Sequence, residues 1–202
     1  PISEIRIIPD IYDILSGSVR MSSIYGAPLI EIDREIMPQW QRSIKRLLDW
    51  TVSIFALILL SPVFVVIGLL VKATSPGPVF YLQERIGRHG KPFQIIKFRT
   101  MHVNAETAGP QLSRDDDPRI TPVGRFLRKS RLDEFPQFFN VLLGDMALVG
   151  PRPERAHFIS QIMERAPHYH HLQKARPGIT SWGQVKYGYA ENVDEMIQRL
   201  RF

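Results

Sequence analysis

Residues 50–71 run for 22 positions without a charged side chain, and 15 of them are Leu, Ile, Val or Phe. At 1.5 Å per helical residue, such a run covers the roughly 30 Å hydrocarbon layer of a bilayer. At about −0.3 to −0.6 kcal/mol each, those side chains contribute roughly −5 to −9 kcal/mol of insertion. That outweighs the Ser, Thr, Gly and Pro among them. The segment is expected to enter a membrane, and the remaining chain has to be arranged at its two ends. Ser61-Pro62 falls at its middle, where Pro removes one helical hydrogen bond and crowds the carbonyl four residues back. A break there favours a re-entrant helix-break-helix over a simple span, in which proline also occurs. Arg42, Lys45 and Arg46 precede the run, while Lys72, Arg85 and Arg88 follow it. Cations on both flanks give the positive-inside rule no asymmetry, as expected if both ends stay cytoplasmic.

Residues 1–40 carry too little apolar surface for a core of their own, although 5–8 and 29–32 are strand-like. They read as the tail of a preceding domain and a linker, and 41–76 as a basic approach plus the membrane segment. Residues 77–202 form the remaining domain. The chain does not begin with Met and shows no secretory signal, so both ends are expected to be cuts in a longer protein. A net charge of +6 and a pI near 9.8 call for an anionic partner: nucleic acid, lipid headgroups or a phosphorylated substrate. The absence of cysteine excludes a disulfide framework and a thiolate metal site.

After the turn cluster Thr74-Ser75-Pro76-Gly77-Pro78, residues 79–86 and 93–99 predict two strands around Gly87-Arg88-His89-Gly90-Lys91-Pro92, a β-hairpin signal. Alternation along the second strand sends Lys97 and Arg99 to one face. Residues 102–120 are polar and Asp-rich, and the spacing of Asp115-Asp116-Asp117 matches no EF-hand loop. Ser130-Arg131-Leu132-Asp133-Glu134-Phe135-Pro136-Gln137 then reads as a helix start, followed by the spaced apolar Phe138, Phe139, Leu142 and Leu143. Pro136 is tolerated only in a first turn. Asp133 and Glu134 would thus lie at the positive end of a helix dipole, behind Arg125, Arg128, Lys129 and Arg131. Taken alone, the pair is compatible with plain helix capping. The helix should end near Gly144. In Gly150-Pro151-Arg152-Pro153 the flanking prolines fix the backbone around Arg152, which lowers the entropy cost of offering its fork to a phosphate. A further helix is predicted over 154–165, a turn and strand over 176–185, and a last helix over 193–202. His168, His170 and His171 have no partner at a metal spacing and are expected on a solvated face.

In this order, Lys97-Phe98-Arg99-Thr100-Met101, Asp117-Pro118-Arg119-Ile120-Thr121, Leu132-Asp133-Glu134-Phe135-Pro136-Gln137, Gly150-Pro151-Arg152-Pro153 and Arg176-Pro177-Gly178-Ile179-Thr180 stand behind a Ser-Pro membrane segment. From about residue 42 to the end, the chain resembles the bacterial sugar transferases, the monotopic phosphoglycosyl transferases. Residues 1–40 resemble the linker and domain end of the long, polytopic members. The resemblance implies an α+β, mostly helical fold: a re-entrant membrane helix-break-helix, then a cytosolic domain of amphipathic helices and a β-hairpin. It implies transfer of a sugar 1-phosphate from a UDP-sugar to polyprenyl (undecaprenyl) phosphate with release of UMP. An aspartyl-phosphosugar intermediate, Mg²⁺ dependence and a place at the cytoplasmic face of the bacterial inner membrane also follow. Asp133 is then the expected nucleophile and Glu134 its Mg²⁺-binding partner. Lys97, Arg128 and Arg152 match the family's phosphate-handling cations, and Arg99 and Arg176, each in one of the quoted motifs, are grouped with them. Ser61 and Pro62 mark the membrane-helix break. Ser181 stands where many members have Gly, and the segment that usually follows Phe202 is absent. The sugar, the glycan pathway and any homo-oligomer stay open.

Three other readings are weighed. A membrane-anchored scaffold binding anionic lipid would tolerate loss of Asp133. A phosphohydrolase would use the same carboxylates and need no lipid acceptor. A nucleic-acid partner is disfavoured, because the cations are scattered among acids without a recognised binding motif.

Overall fold

The computed structural model describes residues 37–105, 117–188, 190 and 192–201 in full, and among the first 36 residues the backbone of three short strands. The chain divides into two compact units, Pro1–Gln39 and Trp40–Phe202. In the first, β1 (Arg6–Ile7), β2 (Met21–Ile24) and β3 (Ala27–Glu31) form an antiparallel sheet of order β1-β3-β2. β1 and β3 overlap the strand-like pieces 5–8 and 29–32, whereas β2 lies in neither. Ile5, Ile8, Ile32, Asp115 and Asp116 lie outside the described residues.

The second unit is built against α1 (Gln39–Thr74), a helix of 36 residues and about 54 Å in contour. The expected break at Ser61-Pro62 is not seen as an interruption: α1 continues through Pro62. The physical reason is local. Proline at position 62 cannot donate to the Ile58 carbonyl, and the Ser61 hydroxyl donates to that carbonyl instead, at 2.8 Å. In an apolar surrounding, where water cannot repair the ladder, that substitution matters.

Only one face of α1 is covered. Asp49, Ser53, Ile67 and Val71 are buried, whereas Phe55, Ile58, Leu59, Val65, Val66 and Leu69 are each more than half exposed. By length and composition α1 is long and apolar enough to cross a membrane, and an exposed apolar surface of that extent marks a membrane or partner contact. Both ends of the covered face meet the same globular body. Near the start, Arg46 donates to the Val141 and Leu142 carbonyls (2.8 and 3.4 Å), and Asp49 accepts the Leu148 N–H at 3.2 Å. Near the end, Ile67 and Val71 pack with Phe98 and Leu127, and the Phe64 ring meets Phe98 edge-on at 5.3 Å.

The body begins with the predicted hairpin. β4 (Phe80–Ile86) and β5 (Pro92–Phe98) pair antiparallel, in register from Phe80↔Phe98 to Ile86↔Pro92. Their turn places His89 and Gly90 at φ 58° and 73°, the second at no steric cost. Then come α2 (Pro122–Ser130), a 3₁₀ turn (Leu132–Glu134), α3 (Gln137–Leu143) and β6 (Ala147–Val149). α4 (Ala156–Arg165), a 3₁₀ segment (Pro167–Lys174), β7 (Gly178–Thr180), α5 (Trp182–Tyr187) and α6 (Val193–Arg199) complete the order. β6 and β7 pair in parallel. A Cβ at Gly178 would lie 2.1 Å from the Gly150 nitrogen, so only glycine lets these two backbones approach so closely. α4, α6 and Tyr169 share an apolar core through Phe158, Ile159, Ile162 and Met196. Residues 182–185, read as the end of a strand, lie in the helix α5 because the Ser181 hydroxyl accepts the Gln184 N–H as an N-cap. His168, His170 and His171 are exposed.

Candidate active site

The Asp133-Glu134 pair lies a step earlier than a helix start. α2 stops at Arg131, which adopts a left-handed conformation (φ 62°) and reverses the chain into the 3₁₀ turn. Leu132 packs on the Ile67–Phe98–Leu127 cluster, and the reversal draws both carboxylates inward, to 7% and 8% exposure. α3 starts only after Pro136, and Gly144 (φ 100°) ends it as expected.

β5 brings Lys97 to meet this turn. Its ammonium lies 2.9 Å from Glu134 Oε1, and the Arg152 guanidinium reaches the same oxygen at 3.7 Å. Burial alone would raise the Glu134 carboxyl, but the charges of Lys97 and Arg152 and the Lys97 hydrogen bond prevail and hold it at about 2. Burial raises Asp133, with Glu134 adding to the rise and Lys97 and Arg128 opposing it. The two neighbours thus differ in kind. Glu134 is a paired anion. Asp133 is a desolvated carboxylate whose Oδ1 is enclosed without a hydrogen-bond partner among the described residues. Leaving such an atom unsatisfied costs about 1–3 kcal/mol or more, so a ligand there would recover that cost.

Arg152 is held from behind. Glu154, 3% exposed, takes Arg199 at 2.7 Å, Arg85 at 3.3 Å and the Arg152 Nε at 3.9 Å. Arg85 also donates to the Pro153 carbonyl, which ties β4 to the Pro-Arg-Pro loop. The resulting cleft is lined by Arg85, Lys97, Glu134, Gln137, Arg152 and neighbouring apolar residues. It is strongly cationic around one carboxylate, an arrangement suited to a polyphosphate.

Of the expected site residues, the structure brings Asp133, Glu134, Lys97 and Arg152 together. Arg128 is adjacent: its Nε donates to Thr100 Oγ1 at 2.9 Å, and its charge acts on Asp133. Arg99 is placed elsewhere. Its guanidinium donates to the Ser75 and Pro76 carbonyls (2.6 and 2.9 Å), because β5 ends at Phe98 and the side chain beyond it turns under the close of α1. Arg176 stands among Arg88, Asp49, Arg42 and Asp145, by the foot of α1. Asp117 forms a bidentate pair with Arg119 and is held at about 2 chiefly by those hydrogen bonds. Sequence reasoning missed Glu154, Arg85, Arg199 and Gln137. The first follows Pro153 directly, but its partners lie 69 and 45 residues away, and no local pattern announces such pairs.

A profile described as bacterial sugar transferase matches residues 40–202. A UDP-N-acetylgalactosamine-undecaprenyl-phosphate N-acetylgalactosaminephosphotransferase of Aeromonas hydrophila is 47% identical over 152 residues, 75% of this chain and 36% of that protein. A UDP-glucose:undecaprenyl-phosphate glucose-1-phosphate transferase of Escherichia coli (strain K12) is 36% identical over 98% of this chain and 43% of its own length. An undecaprenyl-phosphate galactose phosphotransferase of Salmonella typhimurium is 35% identical over 90% of this chain and 41% of its own. The chain spans less than half the length of these three relatives.

Proposed function

Because the chain belongs to the bacterial sugar transferase family, we propose that it moves a sugar 1-phosphate from a UDP-sugar to polyprenyl (undecaprenyl) phosphate, with Asp133 as covalent relay. The observation that carries this reading is a desolvated Asp133, its Oδ1 without a partner among the described residues, next to a Glu134 already neutralised by Lys97 and Arg152.

The Asp133 carboxylate attacks the sugar-bearing phosphorus. The bond from that phosphorus to the bridging oxygen breaks, and UMP leaves with the bridging oxygen and its electron pair. A phosphate oxygen of the lipid acceptor then attacks the same phosphorus and expels the carboxylate, giving polyprenyl-diphospho-sugar and restoring Asp133. Splitting the exchange in two avoids bringing three charged reactants together at once. Lys97 and Arg152 neutralise the charge that gathers on the phosphoryl oxygens, and the charge of Arg128 favours the ionised form of Asp133. Among the described residues no three His, Cys, Asp or Glu side chains form a metal cage. Mg²⁺, however, is commonly held by one or two carboxylates together with substrate phosphates. The unpartnered Asp133 Oδ1 beside Glu134 fits that donor set. Mg²⁺ held there would withdraw charge from the diphosphate.

The reading also places the domain on the cytoplasmic face of the bacterial inner membrane, with the exposed apolar face of α1 turned to the lipid. Both ends of its covered face pack on one body, which a straight crossing would have to tear apart. Trp50 stands where the charge-free run begins, under the Arg46 guanidinium at 4.9 Å, as interfacial aromatics do. A UMP-release assay with polyprenyl phosphate and UDP-N-acetylgalactosamine, UDP-glucose or UDP-galactose tests the reaction. Asp133→Asn should lower turnover about a hundredfold or more. UMP formation at the parental rate by that variant, or none from the parent with any donor, would sink it.

A further inference from the structure

α3 buries two side-chain amides three residues apart, and the structure uses them differently. Asn140, 1% exposed, is fully employed: its Oδ1 accepts the Ile96 N–H at 2.9 Å and its Nδ2 donates to the Gln94 carbonyl at 2.7 Å. Gln137, 2% exposed, stands one turn after Asp133 and lines the cleft with Lys97, Glu134 and Arg152. Its Nε2 is enclosed and has no partner among the described residues. A buried amide normally finds its partners within the protein, and one left without is a departure that needs a reason. Here the unpartnered donor lines the cleft together with two cations, Lys97 and Arg152, beside the residue that follows Asp133. What completes such a set is an anion with oxygen acceptors.

We propose that the Gln137 side-chain amide is a catalytic hydrogen-bond donor to a non-bridging oxygen of the phosphorus that Asp133 attacks. The inference rests on the phosphoryl-transfer reading above. As the Asp133 O–P bond forms and the bond to the leaving UMP breaks, the non-bridging oxygens gather negative charge. A neutral donor already fixed in place stabilises that charge without reorganising. Unlike a third cation, it also leaves the charge of Asp133 unpaired and available for attack. Gln137 divides the work with Lys97 and Arg152: they attract the diphosphate, and the amide orients one oxygen.

The decisive variant is Gln137→Met, close in shape and unable to donate, studied in the full chain in lipid nanodiscs. Removing one such donor should slow adduct formation on Asp133 from UDP-sugar alone about a hundredfold. This is read by quenched-flow mass spectrometry, with thermal unfolding unchanged or raised. Adduct formation within about threefold of the parent, or slowing accompanied by a lowered unfolding temperature, overturns the proposal. A second measurement separates it from the reading on which it rests. In protein selectively labelled with ¹⁵N-glutamine, UDP should shift the side-chain NH₂ pair of Gln137, identified by its loss in Gln137→Met. If that pair stays unmoved at saturating UDP, the donor is not where we place it. If it shifts while the parent forms no adduct on Asp133, the covalent relay fails and the amide contact stands.

Discussion

Glu154→Gln removes a charge and almost nothing else, and three arginines converge on that charge. At 2.7–3.9 Å and an effective dielectric near 20, each contact is worth about 4–6 kcal/mol of attraction, much of it offset by desolvation. The amide oxygen of Gln can still accept the Arg199 N–H, now 2.7 Å from Glu154 Oε1. What is lost is the compensation of Arg85, Arg152 and Arg199, whose side chains are 14%, 18% and 10% exposed. Breaking a buried pair on one side costs about 3–5 kcal/mol, and the surviving hydrogen bond argues for the lower end. In a unit of this size about 3 kcal/mol lowers the unfolding temperature by about 6–12 °C. Arg152, no longer drawn back by Glu154, should move toward Glu134. A displacement on the order of 1 Å at a phosphate-gripping fork costs about a hundredfold in rate. Differential scanning fluorimetry in detergent micelles and UMP release read the two effects. Adding Arg199→Met removes one uncompensated cation and should recover part of the stability but none of the rate. A Glu154→Gln protein that unfolds within about 2 °C of the parent and turns over within about twofold would show that the cluster holds nothing in place.

Two other expectations follow from single contacts. The Glu134 carboxyl is a stronger acid when folded, about 2 against an ordinary 4.5, a gap worth about 3 kcal/mol. That stability is present in full above pH ~4.5 and is lost as pH falls toward ~2. Glu134→Gln should flatten this part of the unfolding-versus-pH curve, and an unchanged curve would reject the Lys97 pairing. In α1, Ser61→Ala leaves the Ile58 carbonyl without a donor, at about 1 kcal/mol. Ser61→Ala/Pro62→Ala should restore the loss, because residue 62 regains its N–H. If the double variant unfolds no later than Ser61→Ala, the hydroxyl is not the substitute donor.

The elements written in local chemistry could be read in advance. Alternation and glycines gave the hairpin, fifteen branched or aromatic side chains gave the membrane segment, and Gly144 marked the end of α3. Reading failed where a nearby side chain changed the local rule. Ser61 offsets the proline and lets α1 continue, and the Ser181 cap turns a β-rich stretch into helix. For the site, Asp133, Glu134, Lys97 and Arg152 could be named from their motifs. Arg99 shares a motif with Lys97, yet its side chain goes to two carbonyls at the end of α1. Motif membership does not encode which carbonyl a guanidinium meets. Glu154 gathers partners from β4 and α6, so its role exists only after the chain has closed.

Asn140 grips positions 94 and 96 of β5 on the edge that β4 does not use. One carboxamide thereby occupies the place of a third strand, and the hairpin offers less bare edge to a stray chain. It also works as a ratchet pawl. A slip of the strand by one position would turn every side chain over and point the lysine away from the acids. The pawl, carried by the helix that follows those acids, catches the strand at one tooth.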